Sequence, residues 1–188
     1  MKYILIITFL VFSLPVLAND NPIEVTADTA LEWDRANLNF TAKGNAFVKQ
    51  GGSSINAPTI IANYSDTDKG VLIQSVTASP NAKLIQPNET LTANNVTATF
   101  NLGVLSDVEA NGNVVLKTSK GETLYGDEAD YDAGQRIITI TGDVKIEQGQ
   151  NILTGNKAVF NLNTNVSTMT ASPDVNNGRV KAIFYGGQ

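Results

Sequence analysis

The stretch VEANGNVVLK (108–117) alternates apolar and polar residues as a β-strand does, yet it carries Gly112 at its centre. Glycine weakens a strand interior and marks a bulge, a bend or a close approach by another group. Three other stretches share the form: FTAKGNAFVK (40–49), VTASPNAKLI (76–85) and ITITGDVKIE (138–147). Gly44, Pro80, Gly112 and Gly142 then stand in one column. Four positions before it are Phe40, Val76, Val108 and Ile138; two before are Ala42, Ala78, Ala110 and Ile140. Two positions after are Ala46, Ala82, Val114 and Val144; four after are Val48, Leu84, Leu116 and Ile146. All sixteen are apolar in a chain that is 42% hydrophobic. For a fixed alignment, chance produces this at roughly 10⁻⁶, so the pattern is a repeat of kinked strands.

A second unit alternates with the first: VTADTALEW (25–33), INAPTIIANY (55–64), LTANNVTATF (91–100), LYGDEADY (124–131) and LTGNKAVF (153–160). An apolar residue precedes a small one (Ala27, Ala57, Ala93, Gly126, Gly155) by two positions, and an aromatic closes the unit. In the last four copies the apolar parity slips by one after the small residue. One residue of slip would turn every side chain to the wrong face, so a bulge or sharp bend is predicted there. Pro58 and Pro80 fall at or beside the kink columns, where a strand tolerates proline. Polar connections such as QGGSS, QPNET, TSKGE and EQGQN supply turn chemistry. The pattern predicts about ten long kinked strands, or up to about sixteen if each kink is a break. The last strand is expected in RVKAIFY, after a hairpin turn at Asn177-Gly178. Helical periodicity is absent from the part after the N-terminal segment, which reads as all-β.

The chain begins MKYILIITFLVFSLPVLAND. One lysine, an apolar run, Pro15 and the small-residue end Val16-Leu17-Ala18 read as a secretory signal over 1–18, cleaved after Ala18, ahead of a single domain over 19–188. Removing Lys2 takes the net charge of −5 to −6. An acidic exported chain with scattered lysines is a poor nucleic-acid binder. There is no cysteine and no histidine. That removes disulfides, the commonest general base, the commonest metal ligand and every Ser-His or Cys-His pair. No catalytic residue, metal site or cofactor is expected. The carboxylates of GDEADYDAG (126–134) lack EF-hand spacing, and Glu128, Asp130 and Asp132 are expected on a solvated face opposite Ala129 and Tyr131.

Periodicity leaves three architectures: a self-filled sandwich or closed barrel, an open folded-over sheet with a partly filled apolar interior, and a parallel β-helix.

The segments KGNAFVKQGGSSINAPTIIANY (43–64), ANGNVVLKTSKGETLYGDEADYD (110–132), TGDVKIEQGQNILTGNKAVFNLNTNVSTM (141–169) and GRVKAIF (178–184) resemble the LptA/OstA-like family of periplasmic lipopolysaccharide-transport proteins. The resemblance covers nearly all of the chain after residue 18. It implies an open, twisted, antiparallel β-jellyroll of repeated kinked hairpins with a V-shaped cross-section. It implies that lipopolysaccharide acyl chains ride inside while the sugars stay outside. It implies head-to-tail stacking through edge strands, with itself, with an inner-membrane LptC-like protein and with an outer-membrane LptD-like protein of the same fold. The expected acyl-chain contacts are Trp33, Phe40, Val48, Leu84, Phe100, Val108, Leu116, Tyr131, Ile138, Ile140, Val144, Ile146 and Phe160. Alternatives are the membrane-anchored partner of the same pathway and a self-assembling β-protein that binds no lipid.

Overall fold

The structure, a computed structural model, describes residues 22–68, 70–171 and 178–185. The expected signal and its cleavage point lie outside them. The described residues form fourteen strands: β1 (Ile23–Thr26), β2 (Ala30–Asp34), β3 (Asn39–Gln50), β4 (Ser53–Thr67), β5 (Gly70–Ser79), β6 (Ala82–Gln86), β7 (Glu89–Ala93), β8 (Asn95–Asn101), β9 (Val104–Thr118), β10 (Glu122–Asp132), β11 (Ile137–Gln148), β12 (Asn151–Asn161), β13 (Val166–Thr170) and β14 (Lys181–Ile183). Every pairing among them is antiparallel, which excludes the parallel β-helix.

The registers describe one sheet creased down its middle. Six long strands (β3, β4, β9, β10, β11 and β12) pass through the crease; β3, β4, β9 and β12 each pair with a different strand on either side of it, while β10 and β11 keep the same neighbours throughout. The other strands stop at it. Cis-Pro80 and Asn81 separate β5 from β6, and Asn94 separates β7 from β8. One face holds β2, β5, β8 and β13 with half of each long strand; the other holds β1, β6, β7 and β14 with the remaining halves.

The crease is built at the repeated column. Gly44, Gly112 and Gly142 have φ of +82°, +77° and +79°, and Asn45, Asn113 and Asp143 behind them are also left-handed. Two residues at the crease of β3, β9 and β11 stand against one on the neighbouring β4, β10 and β12, so the ladder shifts register there. The shift falls beside the small residues Ala57, Gly126 and Gly155, where a bulge is expected, but the extra residue belongs to the glycine strand rather than to the second unit, and at Ala93 the strand breaks instead. Gly112 is also closely approached. A Cβ on it would lie 2.5 Å from Asn94 Nδ2, and the Asn94 backbone N–H donates to the Gly112 carbonyl at 2.7 Å.

Both outer ends carry turns. Three turns on the first face repeat one device: Asp34, Asp132 and Asn161 each accept from backbone N–H groups two or three residues on. A left-handed residue, Leu38, Arg136 or Asn165, then closes the turn. The last strand departs from expectation. β14 lies within RVKAIFY, but it pairs with the start of β12 on the second face and forms no hairpin with β13. Asn177, at the expected turn, lies outside the described residues.

The core sits between the faces. Of the sixteen apolar column positions, thirteen are buried, while Phe40, Val48 and Val76 are half-buried. On the second face the inward side chains form three rows. Nearest the crease are small residues such as Ala46, Ala57, Ala82, Ala93 and Gly126. Next comes an unbroken apolar ladder, Val48-Ile55-Leu84-Leu91-Leu116-Leu124-Ile146-Leu153, each opposite the next. Outermost, at the turn end, the positions are polar: Gln50 opposite Ser53; Gln86, Glu89 and Thr118 in sequence; and Glu122, Gln148 and Asn151 in sequence.

Candidate functional site: an apolar groove with a polar mouth

Small residues at the crease and larger ones beyond it shape the space between the faces. Toward the β1 side that space is open. A cavity of about 150 Å³ is walled by Val48, Ile55 and Leu84 from the second face and by Val76, Val96, Ala98, Phe100 and Val108 from the first. Gln50, Ser53 and Ser54 stand at its polar end. Toward β12 a second opening, of about 240 Å³, is lined by Ile146, Leu153, Ala158, Phe160 and Met169, while Leu124, Ile140 and Val144 between the two openings are among the most deeply buried residues.

The expected contact residues divide accordingly. Val48, Leu84, Phe100 and Val108 come together around the cavity. Val108 also lines a recess of about 20 Å³ with Leu116, Tyr131, Ile138 and Ile140. Ile146 and Phe160 meet at a separate recess beside β13, and Val144 is packed at the crease. Phe40 and Trp33 lie elsewhere. Trp33 is 50% exposed on edge strand β2, stacked on Phe40 with ring centroids 4.8 Å apart. Its indole N–H donates to the Tyr64 hydroxyl at 2.7 Å, and the Arg35 guanidinium lies 4.3 Å over its ring. This cluster lies at the β2 edge of the first face. Ile55, Ile73, Val76, Val96 and Ala98 line the same cavity and are not among the expected contacts. Their signal was the inward parity of the strands on either side of the chosen ones.

The polar mouth holds two buried carboxyl groups. Glu122 accepts from the Gln148 amide at 3.2 Å and from the Thr118 hydroxyl at 3.5 Å. Burial raises its pKa, opposed by the positive charge of Lys120 and the Thr118 hydrogen bond. Glu89 is 6% exposed, and burial raises its pKa to about 7. Across the interior, burial raises the Tyr131 pKa; the charges of Glu89 and Asp132 add to the rise and that of Arg136 opposes it.

The outer surface of the first face is acidic. Glu109 lies opposite Asp130 and Asp107 opposite Asp132. Glu128 and Asp130 are exposed while Tyr131 is buried, the solvated-face arrangement expected for GDEADYDAG. Among the described residues no group of three or more metal-ligating side chains is placed to hold a metal ion.

The two sheet ends are open. Among the described residues, β1 and β2 pair only with β3, and β13 and β14 pair only with β12. Ile23, Val25, Leu31 and Trp33 are exposed at one end; Val166, Phe184 and Tyr185 are exposed at the other.

The profile of the family described as LptA/(LptD N-terminal domain) LPS transport protein matches residues 72–166, half of the chain. The chain belongs to this family. Its role is therefore in lipopolysaccharide transport. Among solved structures, the chain is similar to LptH of Pseudomonas aeruginosa, described as the LptA-homologous periplasmic component of the lipopolysaccharide transport device. The identity is 16%, with 88% of this chain and 96% of that chain covered at a TM-score of 0.37. No curated protein matches the chain in sequence.

Proposed function

We propose that the chain holds the acyl chains of lipopolysaccharide in the groove between its faces and bridges the inner and outer membranes across the periplasm. The observation that carries this reading is the ordering of the inward rows. An apolar ladder eight strands wide lies between a small-residue crease and a polar mouth. An amphiphile fits that gradient with its chains toward the crease and its sugars toward water. Each CH₂ removed from water contributes about 0.8 kcal/mol, so one fatty chain gains on the order of 10 kcal/mol before the entropic cost of binding. The open ends supply the bridge. Unpaired strand edges are templates for strand addition. Joining the β1/β2 end of one molecule to the β13/β14 end of the next is heterologous, and such contacts build a filament. The same edges would receive LptC-like and LptD-like partners. A secretory signal over residues 1–18, cleaved after Ala18, would deliver the chain to the periplasm.

Photo-crosslinking residues placed singly at Val48, Phe100 and Val108, inside the groove, and at Lys49 and Lys83, on the outside, test the reading. Lipopolysaccharide adducts are expected at the inner three sites. Adducts confined to the outer two would refute it.

A further inference from the structure

Four buried side-chain polar atoms among the described residues have no hydrogen-bond partner: Gln86 Nε2, both carboxyl oxygens of Glu89, and Arg136 Nε. Three of the four belong to neighbours, because Gln86 and Glu89 are directly opposite in the β6–β7 hairpin. Native proteins pair such groups, because an unpaired buried one keeps the full penalty of losing its water. The contrast within the same row is informative. Glu122, on β10, has Gln148 and Thr118 as partners, whereas Glu89 has neither oxygen satisfied. Position adds a second argument. Glu89 is inward, two residues before Leu91 of the apolar ladder, and Leu91 lines a recess with Tyr131 of the opposite face. An unsatisfied donor and two unsatisfied acceptors therefore stand at the boundary between the apolar interior and the turn end.

We propose that Gln86 and Glu89 form a polar station at the mouth of the groove that hydrogen-bonds the uncharged neck of a bound amphiphile, the amide, ester or hydroxyl groups that join acyl chains to a sugar. The proposal rests on the groove being an acyl-chain site. The chemistry of the surroundings selects the class. A phosphate would face two carboxyl groups in one row, Glu89 and Glu122. Burial favours the neutral carboxyl of Glu89, which both donates and accepts, and the Gln86 amide offers two further N–H donors. Thr118 flanks Glu89 on the other side, and Tyr131 and Arg136 belong to the facing sheet and its turn. The station would thus read the neck and leave charged groups to solvent.

Calorimetric titration separates neck from chain, using N-tetradecanoylglucosamine and tetradecyl phosphate below their micelle-forming concentrations. These probes share a chain length, and only the first has an amide and hydroxyl neck. The double variant Q86L/E89L should bind the glucosamide about tenfold more weakly, the scale of one hydrogen bond to a buried partner, with tetradecyl phosphate unchanged or tighter. E89Q, which retains a donor and an acceptor, should stay within about threefold of wild type for the glucosamide. In the wild-type protein the ¹³C carboxyl resonance of Glu89 should move on adding the glucosamide and stay put with the phosphate, a measurement that needs no variant to fold. Equal losses for both probes, or no loss and no carboxyl shift, would overturn the station while leaving the groove intact. Wild-type protein that binds neither probe would overturn the groove reading and the station together.

Discussion

Replacing Gly112 by alanine tests whether the crease is held by close packing as well as by backbone conformation. Gly112 has φ +77°, so a side chain there costs about 1–2 kcal/mol for the left-handed backbone alone. The new Cβ would also lie 2.5 Å from Asn94 Nδ2 and 3.0 Å from its Cγ. Asn94 must then move, at a cost of about 1–3 kcal/mol for the overpacked contact. Gly121 provides the control. Its φ is +79°, but nothing lies within 4 Å of an added Cβ. The expected losses are about 1–2 kcal/mol for Gly121→Ala and about 2–5 kcal/mol for Gly112→Ala. Urea unfolding at fixed pH measures both, and a chain of this size should lose about 2–4 °C in Tm per kcal/mol. Adding Asn94→Ala to Gly112→Ala should recover most of the excess over the control, as a favourable coupling of about 1–3 kcal/mol. Equal destabilisation by the two glycine variants, within about 0.5 kcal/mol, would refute close approach at the crease and leave only the backbone requirement.

Three further outcomes are expected. Glu89 has a folded pKa raised to about 7 from 4.5, so the folded state binds the extra proton between those values and stability falls as pH rises through that window, by up to about 3 kcal/mol; Glu89→Gln should flatten the slope in urea midpoints taken from pH 4.5 to 8. Phe160→Ala, at a side chain only 2% exposed, should cost about 3–5 kcal/mol, whereas Phe100→Ala, at a half-buried side chain, should cost about half as much and weaken acyl-chain binding in a displacement assay. Asp130, whose pKa is raised by burial and then by Asp107, Glu109 and Asp132, faces Glu109 directly across the ladder; Asp130→Asn should stabilise the protein by about 0.5 kcal/mol at pH 7, a gain that shrinks in high salt if charge repulsion is its source.

The kink column was legible because three of its members are glycines with the same left-handed backbone, followed by Asn or Asp, the side chains that best tolerate it. The inward positions followed from period two, and the place of the bulges, though not the strand that carries the extra residue, followed from the slipped parity. The pairing of β14 was not legible. A final apolar heptapeptide can add to either face of β12, and only the register Ile152–Ile183 to Thr154–Lys181 decides between them. The extent of filling was not legible either, because it depends on which faces meet. Phe100 and Phe160 close equivalent sequence units and each borders an opening, yet one is half-buried and the other is buried.

The polar mouth had a signal that turn chemistry concealed. Six positions after the column stand Gln50, Gln86, Thr118 and Gln148; two before the apolar residue of each return strand stand Ser53, Glu89, Glu122 and Asn151. All eight are polar, and they lie beside Gly51, Pro87, Lys120 and Gly149, where polarity is expected of any loop. A solvated turn has no reason to bury its carboxyl groups, however, and Glu89 and Glu122 are buried. Their burial requires a covering that water does not provide, such as side chains of the opposite face. The same geometry accounts for the apolar ladder ending before the turns. Packing for stability alone would carry apolar residues further outward, because burying uncompensated polar groups costs free energy. Sacrificing that stability along eight strands is intelligible when the outer row must face the polar part of an amphiphile whose apolar part occupies the space within.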